Sequence, residues 1–249
     1  MTEALDTAAE HAALVAQLRA AGTAYRGGQQ NDSYTGSGHP FFCVSAPNLR
    51  RIGRAWLASH RKTDERAMLA VVARLFVGEA YEEKVLAAVL VGASARLKRI
   101  ATPAMADGWL DQLQGWAEID SLCASVFGPR ELAPDWPAWE ALIRRLAVDP
   151  NINRRRAALV LLTTPTRTSD DTRYRDLAFE IVEQLKCEKP ILITKAVSWL
   201  LRSMAHRHAE AVAAYLEREG ATLPAIAVRE TRTKLRTGTK SGRSRAASV

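Results

Sequence analysis

Apolar residues recur at three- and four-residue spacing along almost the whole chain, and the strict alternation of a half-buried strand is scarce. The period predicts helices near 3–23, 46–61, 63–77, 80–98, 102–114, 116–127, 135–147, 151–163, 170–186, 190–206, 208–219 and 222–235. Punctuation supports many of these boundaries. Asp149-Pro150 precedes one helix, Lys189-Pro190 separates two more, and Gly220 ends another. Short helices joined in pairs by short turns predict an all-α fold, a superhelical α-solenoid of antiparallel helix pairs at about 35–45 residues per pair. Strict sequence repetition is not visible. Such an array curves and would offer a concave face suited to a rod-like ligand.

One long stretch breaks the pattern. RGGQQNDSYTGSGHPFFC, residues 26–43, is rich in glycine but lacks the GxxxxGK pattern of a phosphate-cradling loop. A loop of this length inside a compact domain is often functional, but composition alone favours a plain connector. The last residues, TGTKSGRSRAASV, offer almost nothing to bury. The division expected is a helical domain over 1–235 and a basic, disordered tail over 236–249.

Charge narrows the partner. The chain of 249 residues carries a formal net charge of +8. Seven Lys/Arg between Arg229 and Arg245, against Glu230 alone, supply +6 of it. Such a balance predicts an anionic partner: nucleic acid, an anionic membrane surface or an acidic protein. The basic tail is either a nucleic-acid contact or a solubilising extension. Cys43, Cys123 and Cys187 form no CxxC pair, and the five histidines show no ligand spacing, so neither a disulfide framework nor a metal site is expected. No cofactor is implied. The acidic, polar start MTEALDTAAEH does not read as a signal peptide, and no apolar run approaches a membrane span. Reduced cytoplasm is the expected location, and a monomer would suffice.

Three helix faces carry candidate chemistry. In ITKAVSWLLRSMAH, at about 100° per residue, Lys195, Trp199, Arg202 and His206 fall within roughly 60° of one another. Ile193, Val197, Leu200, Leu201 and Met204 supply a core face without the tryptophan. Trp199 is then either covered by a neighbouring helix or part of a ligand surface. In DPNINRRRAALVLL, Arg154, Arg155 and Arg156 crowd the first two turns, at the positive pole of the helix dipole. An anion would relieve that crowding, and phosphate suits guanidinium best; acidic side chains or water could also answer one or two of the three. In GWAEIDSLC, residues 115–123, Trp116 and Asp120 stand four apart and share a face at the border of the apolar stripe Ile119, Leu122 and Val126. Asp120 reads either as a cap or salt-bridge partner or as a carboxylate aimed at developing positive charge. Trp136 and Trp139, beside prolines at a helix start, read as packing.

Taken in order, these motifs resemble one family. The Trp–three residues–Asp-Ser of 116–121, the Arg-Ala-Ala before an apolar run at 156–158, and Lys-Ala-x-x-Trp-x-x-Arg at 195–202 look like the AlkD-type alkylpurine DNA glycosylases. Tyr34, thirteen residues before Pro47 and its arginine pair, adds a fourth match. The resemblance covers roughly residues 10–235. It implies HEAT-like repeats with a concave basic face. It also implies excision of cationic alkylated purines, notably 7-methylguanine and 3-methyladenine, from duplex DNA without base flipping. Trp116, Asp120 and Trp199 would be the catalytic cluster. Tyr34, Arg156 and Arg202 would match family positions near DNA, with Lys195, Arg154 and Arg155 as further candidate contacts. Gly115 and Glu118 depart from the family's pattern.

The chemistry suits those residue types. An N-alkylated purine is already cationic and leaves as a neutral molecule, so no general acid is needed. Positive charge moves onto the deoxyribose as the bond breaks, and a fixed carboxylate and indole faces both stabilise it. The rival reading is a non-catalytic helical-repeat module that binds DNA or serves as a protein scaffold. The Trp/Asp/Trp set alone separates the two.

Overall fold

A computed structural model describes residues 5–22 and 32–242. Among the described residues every regular element is helical, so the all-α class is as the periodicity predicts. The chain divides into two compact units, Met1–Phe127 and Gly128–Val249.

The first unit contains α1 (Thr7–Gly22), α2 (Asp32–Thr35), α3 (Ala46–Ser59), α4 (Glu65–Val77), α5 (Tyr81–Ala93), α6 (Ala95–Ile100), α7 (Pro103–Leu110) and α8 (Gly115–Val126). Capping side chains start several of them. Asp64 accepts from the Arg66 and Ala67 amides at 2.9 and 3.1 Å, and Thr102 accepts from Met105 at 3.2 Å. The single helix expected over 80–98 is interrupted. Ser94 takes an extended backbone and its hydroxyl accepts from the Leu97 amide, so it closes α5 and opens α6. The helix α5 is the centre of this unit. It packs on α3, α4 and α8, and its residues from Tyr81 to Ala88 are all buried.

The second unit contains α9 (Pro129–Leu132), a 3-10 turn (Ala133–Asp135), α10 (Trp136–Ala147), α11 (Ile152–Leu161), α12 (Thr163–Thr168), α13 (Thr172–Leu185), α14 (Ile191–Met204), α15 (Ala209–Glu219) and α16 (Ala225–Thr237). The helix α11 packs on α10 and α14, and α14 packs on α16. This nearest-neighbour stacking is the pattern a helical repeat needs, since each pair buries its apolar stripe only against the next. Trp136 and Trp139 are buried in packing, at 6% and 1% exposure. The helix α16 runs to Thr237, two residues beyond the expected end, and Gly238 closes it in the left-handed conformation. Residues 243–249 of the expected tail lie outside the described residues, as does 26–31 of the irregular stretch. The described remainder of that stretch contains α2, a turn too short to leave a periodic signal.

Candidate functional site

In the first unit the site is built on the first turn of α8. Gly115 opens that helix with φ +69°, a conformation that L side chains resist. The chain of residues 35–36 crosses directly over it. A Cβ on Gly115 would stand 2.2 Å from the Thr35 carbonyl oxygen and 2.5 Å from the Gly36 carbonyl. The departure at position 115 therefore has a local cause: only glycine lets the two backbones meet.

That approach puts Tyr34 on Trp116. The Trp116 indole Nε1–H donates to the Tyr34 carbonyl oxygen at 2.6 Å. The two rings meet edge to face, with centroids 5.2 Å apart and planes at 89°. Such a pair contributes about 0.5–1.5 kcal/mol beyond the area it buries. Tyr34 stays 54% exposed, and Trp116 is half-buried. Asp120, one turn along the same face of α8, is half-buried as well. Ile119, Leu122 and Val126 are buried, as their stripe predicts.

Two buried carboxylates hold the crossing segment in place. Glu118 accepts from the Ser37 hydroxyl, pairs with His39 Nδ1 at 2.9 Å and reaches back to the Gln114 amide at 2.8 Å. A negative group is favoured there by the N-terminal end of the helix. Glu82, at the start of α5, accepts from the Phe42 amide at 2.9 Å and the Val44 amide at 3.0 Å. Two N–H groups that flank one residue thus converge on a single carboxylate. The intervening Cys43 is turned into φ +62°, an unfavourable conformation for a non-glycine residue. Phe41 packs on Tyr81, with ring centroids 4.8 Å apart. Burial, then the Glu118 and Glu82 carboxylates, pushes the Tyr81 phenol up to about 12.

Sequence reasoning noted Glu118 only as a departure from the family's pattern and missed Glu82, Ser37 and His39. One signal was available. Glu82-Glu83-Lys84 opens a helix that is otherwise apolar all round, and charges in such a helix need partners. Lys84 finds the Phe76 and Gly78 carbonyls, each at 2.8 Å, and Glu83 pairs with His11 at 2.8 Å.

In the second unit, α14 has the two faces its sequence predicts. Ile193, Val197, Leu200, Leu201 and Met204 are fully buried. Lys195 and His206 are exposed, and Trp199 and Arg202 are half-buried. Arg202 lies 3.3 Å from Glu230 of α16, and its Nε–H donates to the Ser198 hydroxyl at 3.3 Å. Burial lowers the Arg202 pKa from its ordinary value, and Glu230 opposes that shift.

The arginine triplet of α11 has partners within its own unit. Arg154 pairs with Asp149 at 2.8 Å. Arg155 grips Glu188 at 2.7 and 3.0 Å and donates to the Asp149 and Pro150 carbonyls. Arg156 is 5% exposed and donates to the Leu192 carbonyl at 2.6 Å, tying α11 to the start of α14. Of the two answers the residue types left open for the crowding at this helix start, carboxylates and carbonyls supply one within the unit.

Among the described residues no group of three or more His, Cys, Asp or Glu side chains gathers in a metal-holding arrangement. No helix among them is long and apolar enough to cross a membrane.

A family model described as DNA alkylation repair enzyme matches residues 14–235. No curated protein matches the chain.

Proposed function

The chain belongs to the DNA alkylation repair enzyme family, and from that premise we propose that it is an AlkD-type glycosylase, hydrolysing the N-glycosidic bond of cationic alkylated purines in duplex DNA. The family makes DNA the partner. The substrates are 7-methylguanine and 3-methyladenine, whose fixed positive charge makes them leaving groups without a general acid. As the purine departs, the deoxyribose takes on positive charge. The Asp120 carboxylate stabilises that charge and orients the attacking water. The Trp116 face adds a cation–π attraction of about 0.5–2 kcal/mol. Trp199 of the second unit joins them on the strength of the motif resemblance. Base flipping is not required, because the lesion's charge and weak bond supply the selectivity.

The observation that carries this reading is the arrangement on α8. Asp120 stands one turn from an indole whose ring is fixed by Tyr34, and both side chains are partly open to solvent. Exposed Lys195, with Tyr34 and Arg202, supplies contacts to DNA that are independent of base sequence. Arg154, Arg155, Arg156 and Arg202 each hold an acid or a carbonyl within their own unit, so a phosphate contact by any of them shares or replaces that partner.

The test is release of free methylpurines from methylated duplex DNA. Asp120→Asn should slow release by roughly 100-fold or more, in the range seen when a preorganised electrostatic group is removed, with duplex binding retained. Release by the Asn variant at the unaltered rate sinks the catalytic assignment. Binding by the unaltered protein with no release at all points to the non-catalytic DNA-binding module.

A further inference from the structure

A groove of about 420 Å³ lies between α3, α5 and α8 of the first unit and reaches α8 at Ser121 and Ser125. Its floor is apolar and built from Leu49, Val85 and Val89, with Ala88 and Gly92 leaving the space open. Arg50 and Arg54 line one side, and Ser121 and Ser125 line the other. The two arginines stand four apart on α3, so they project from one face, and both are exposed. Neither is within ion-pair distance of a carboxylate among the described residues. That sets them apart from Arg96, Arg144, Arg155 and Arg173, which hold acids at 2.9, 2.8, 2.7 and 2.7 Å. Across the groove, the Ser121 hydroxyl donates to the Ala117 carbonyl at 2.7 Å. Ser125 is exposed, and its hydroxyl is placed to donate to an arriving oxygen.

We propose that this groove seats a backbone phosphodiester of the DNA duplex, with Arg50 and Arg54 on its oxygens, Ser125 donating from the facing helix and the attached deoxyribose over the apolar floor. Two guanidinium groups without an ion-pair partner among the described residues, over an apolar floor, match a phosphate and its sugar in both charge and size, since ligand-holding clefts begin at about 300 Å³. The groove opens on α8 at Ser121, the residue that follows Asp120. A strand held there is therefore fixed against the same helix that carries Trp116 and Asp120, and such a contact sets register without reading sequence. This inference rests on the DNA reading above and adds a contact set that is independent of the catalytic residues.

The experiment is anisotropy of a labelled, undamaged duplex with the full chain, titrated over a range of salt. The paired substitution R50A/R54A should weaken binding alike on unrelated sequences. It should also reduce the slope of log K against log salt by about 0.9, the value for one phosphate neutralised. R50K/R54K should keep most of the slope. Arg66→Ala, an exposed cation of α4 outside the groove, should leave it unchanged. If circular dichroism shows that the Ala pair is misfolded, R50Q/R54Q keeps the side-chain stems and serves the same comparison. An unchanged slope in the folded pair, or an equal fall in Arg66→Ala, overturns the groove assignment while the glycosylase reading stands. Absence of any duplex binding by the unaltered protein removes the DNA reading itself.

Discussion

Gly115→Ala is the most discriminating perturbation, because one methyl group meets both the fold and the site. The added Cβ costs about 1–2 kcal/mol through its left-handed backbone alone. It would also stand 2.2 Å from the Thr35 carbonyl oxygen, closer than side chains approach backbone atoms, so the crossing segment must retreat. Retreat breaks the Trp116–Tyr34 hydrogen bond, a net loss of about 1 kcal/mol, and separates the two rings, a further 0.5–1.5 kcal/mol or so. The sum is about 3–4 kcal/mol, a large fraction of a typical domain's stability. Urea unfolding followed by circular dichroism measures it directly. Gly108→Ala is the internal control, since a Cβ there meets nothing within 4 Å. That change should be neutral or stabilising by up to about 1 kcal/mol. The same Gly115 variant, assayed below its unfolding midpoint at saturating enzyme, should release methylpurines more slowly, because Trp116 has lost its fixed orientation. A Gly115→Ala protein as stable and as active as the Gly108→Ala protein would refute the close seating of residues 34–36 on α8.

Two further outcomes separate structural from ligand-facing charge. Glu230 is held below its ordinary 4.5: burial works against this, but the Ser198 and Lys240 hydrogen bonds and the Arg202 and Lys240 charges outweigh it. Its contribution to stability is thus complete above pH 4.5 and drains as pH falls through the lower folded-state value. Glu230→Gln should lower the melting temperature at neutral pH and flatten its decline on the acid side, and parallel curves for the two proteins would dismiss this role. Arg156→Ala removes a buried donor from the Leu192 carbonyl and should destabilise the protein by about 1–3 kcal/mol in urea. A salt slope reduced by about one unit with stability unchanged would instead make Arg156 a phosphate ligand.

What could be read in the sequence was local and periodic. The outward stripe of α14 and the buried stripe of α8 follow from residue spacing alone, and both lie where that spacing puts them. The elements that escaped are α2, α9 and α12, of four to six residues, too short for one face to repeat. Ser94 escaped for another reason, because the same side chain that continues a polar helix position also caps a new helix. The arginine triplet shows where a local argument stops. Its electrostatic crowding is real, but Asp149 lies just outside the helix, and Glu188 arrives from 33 residues away. The clasp on residues 37–44 was invisible for the same reason, as its hydrogen bonds span 38 to 81 positions.

The two acids of α8 show why burial, rather than charge, selects between them. Glu118 is nearer Trp116 in sequence, sits in the first turn of the helix and pairs with His39. It is 1% exposed, and its oxygens are held by Ser37, His39 and Gln114. A carboxylate in that state maintains the segment that carries Tyr34, and freeing it would leave an uncompensated charge in the interior. Asp120, two positions later, turns about 200° round the helix and emerges half-exposed, on the face that Trp116 shares. On the proposed reading, a sugar arriving from solution would meet Asp120 rather than Glu118, with the sealed acid maintaining the segment that seats the indole and the half-exposed acid answering the charge that develops on the substrate.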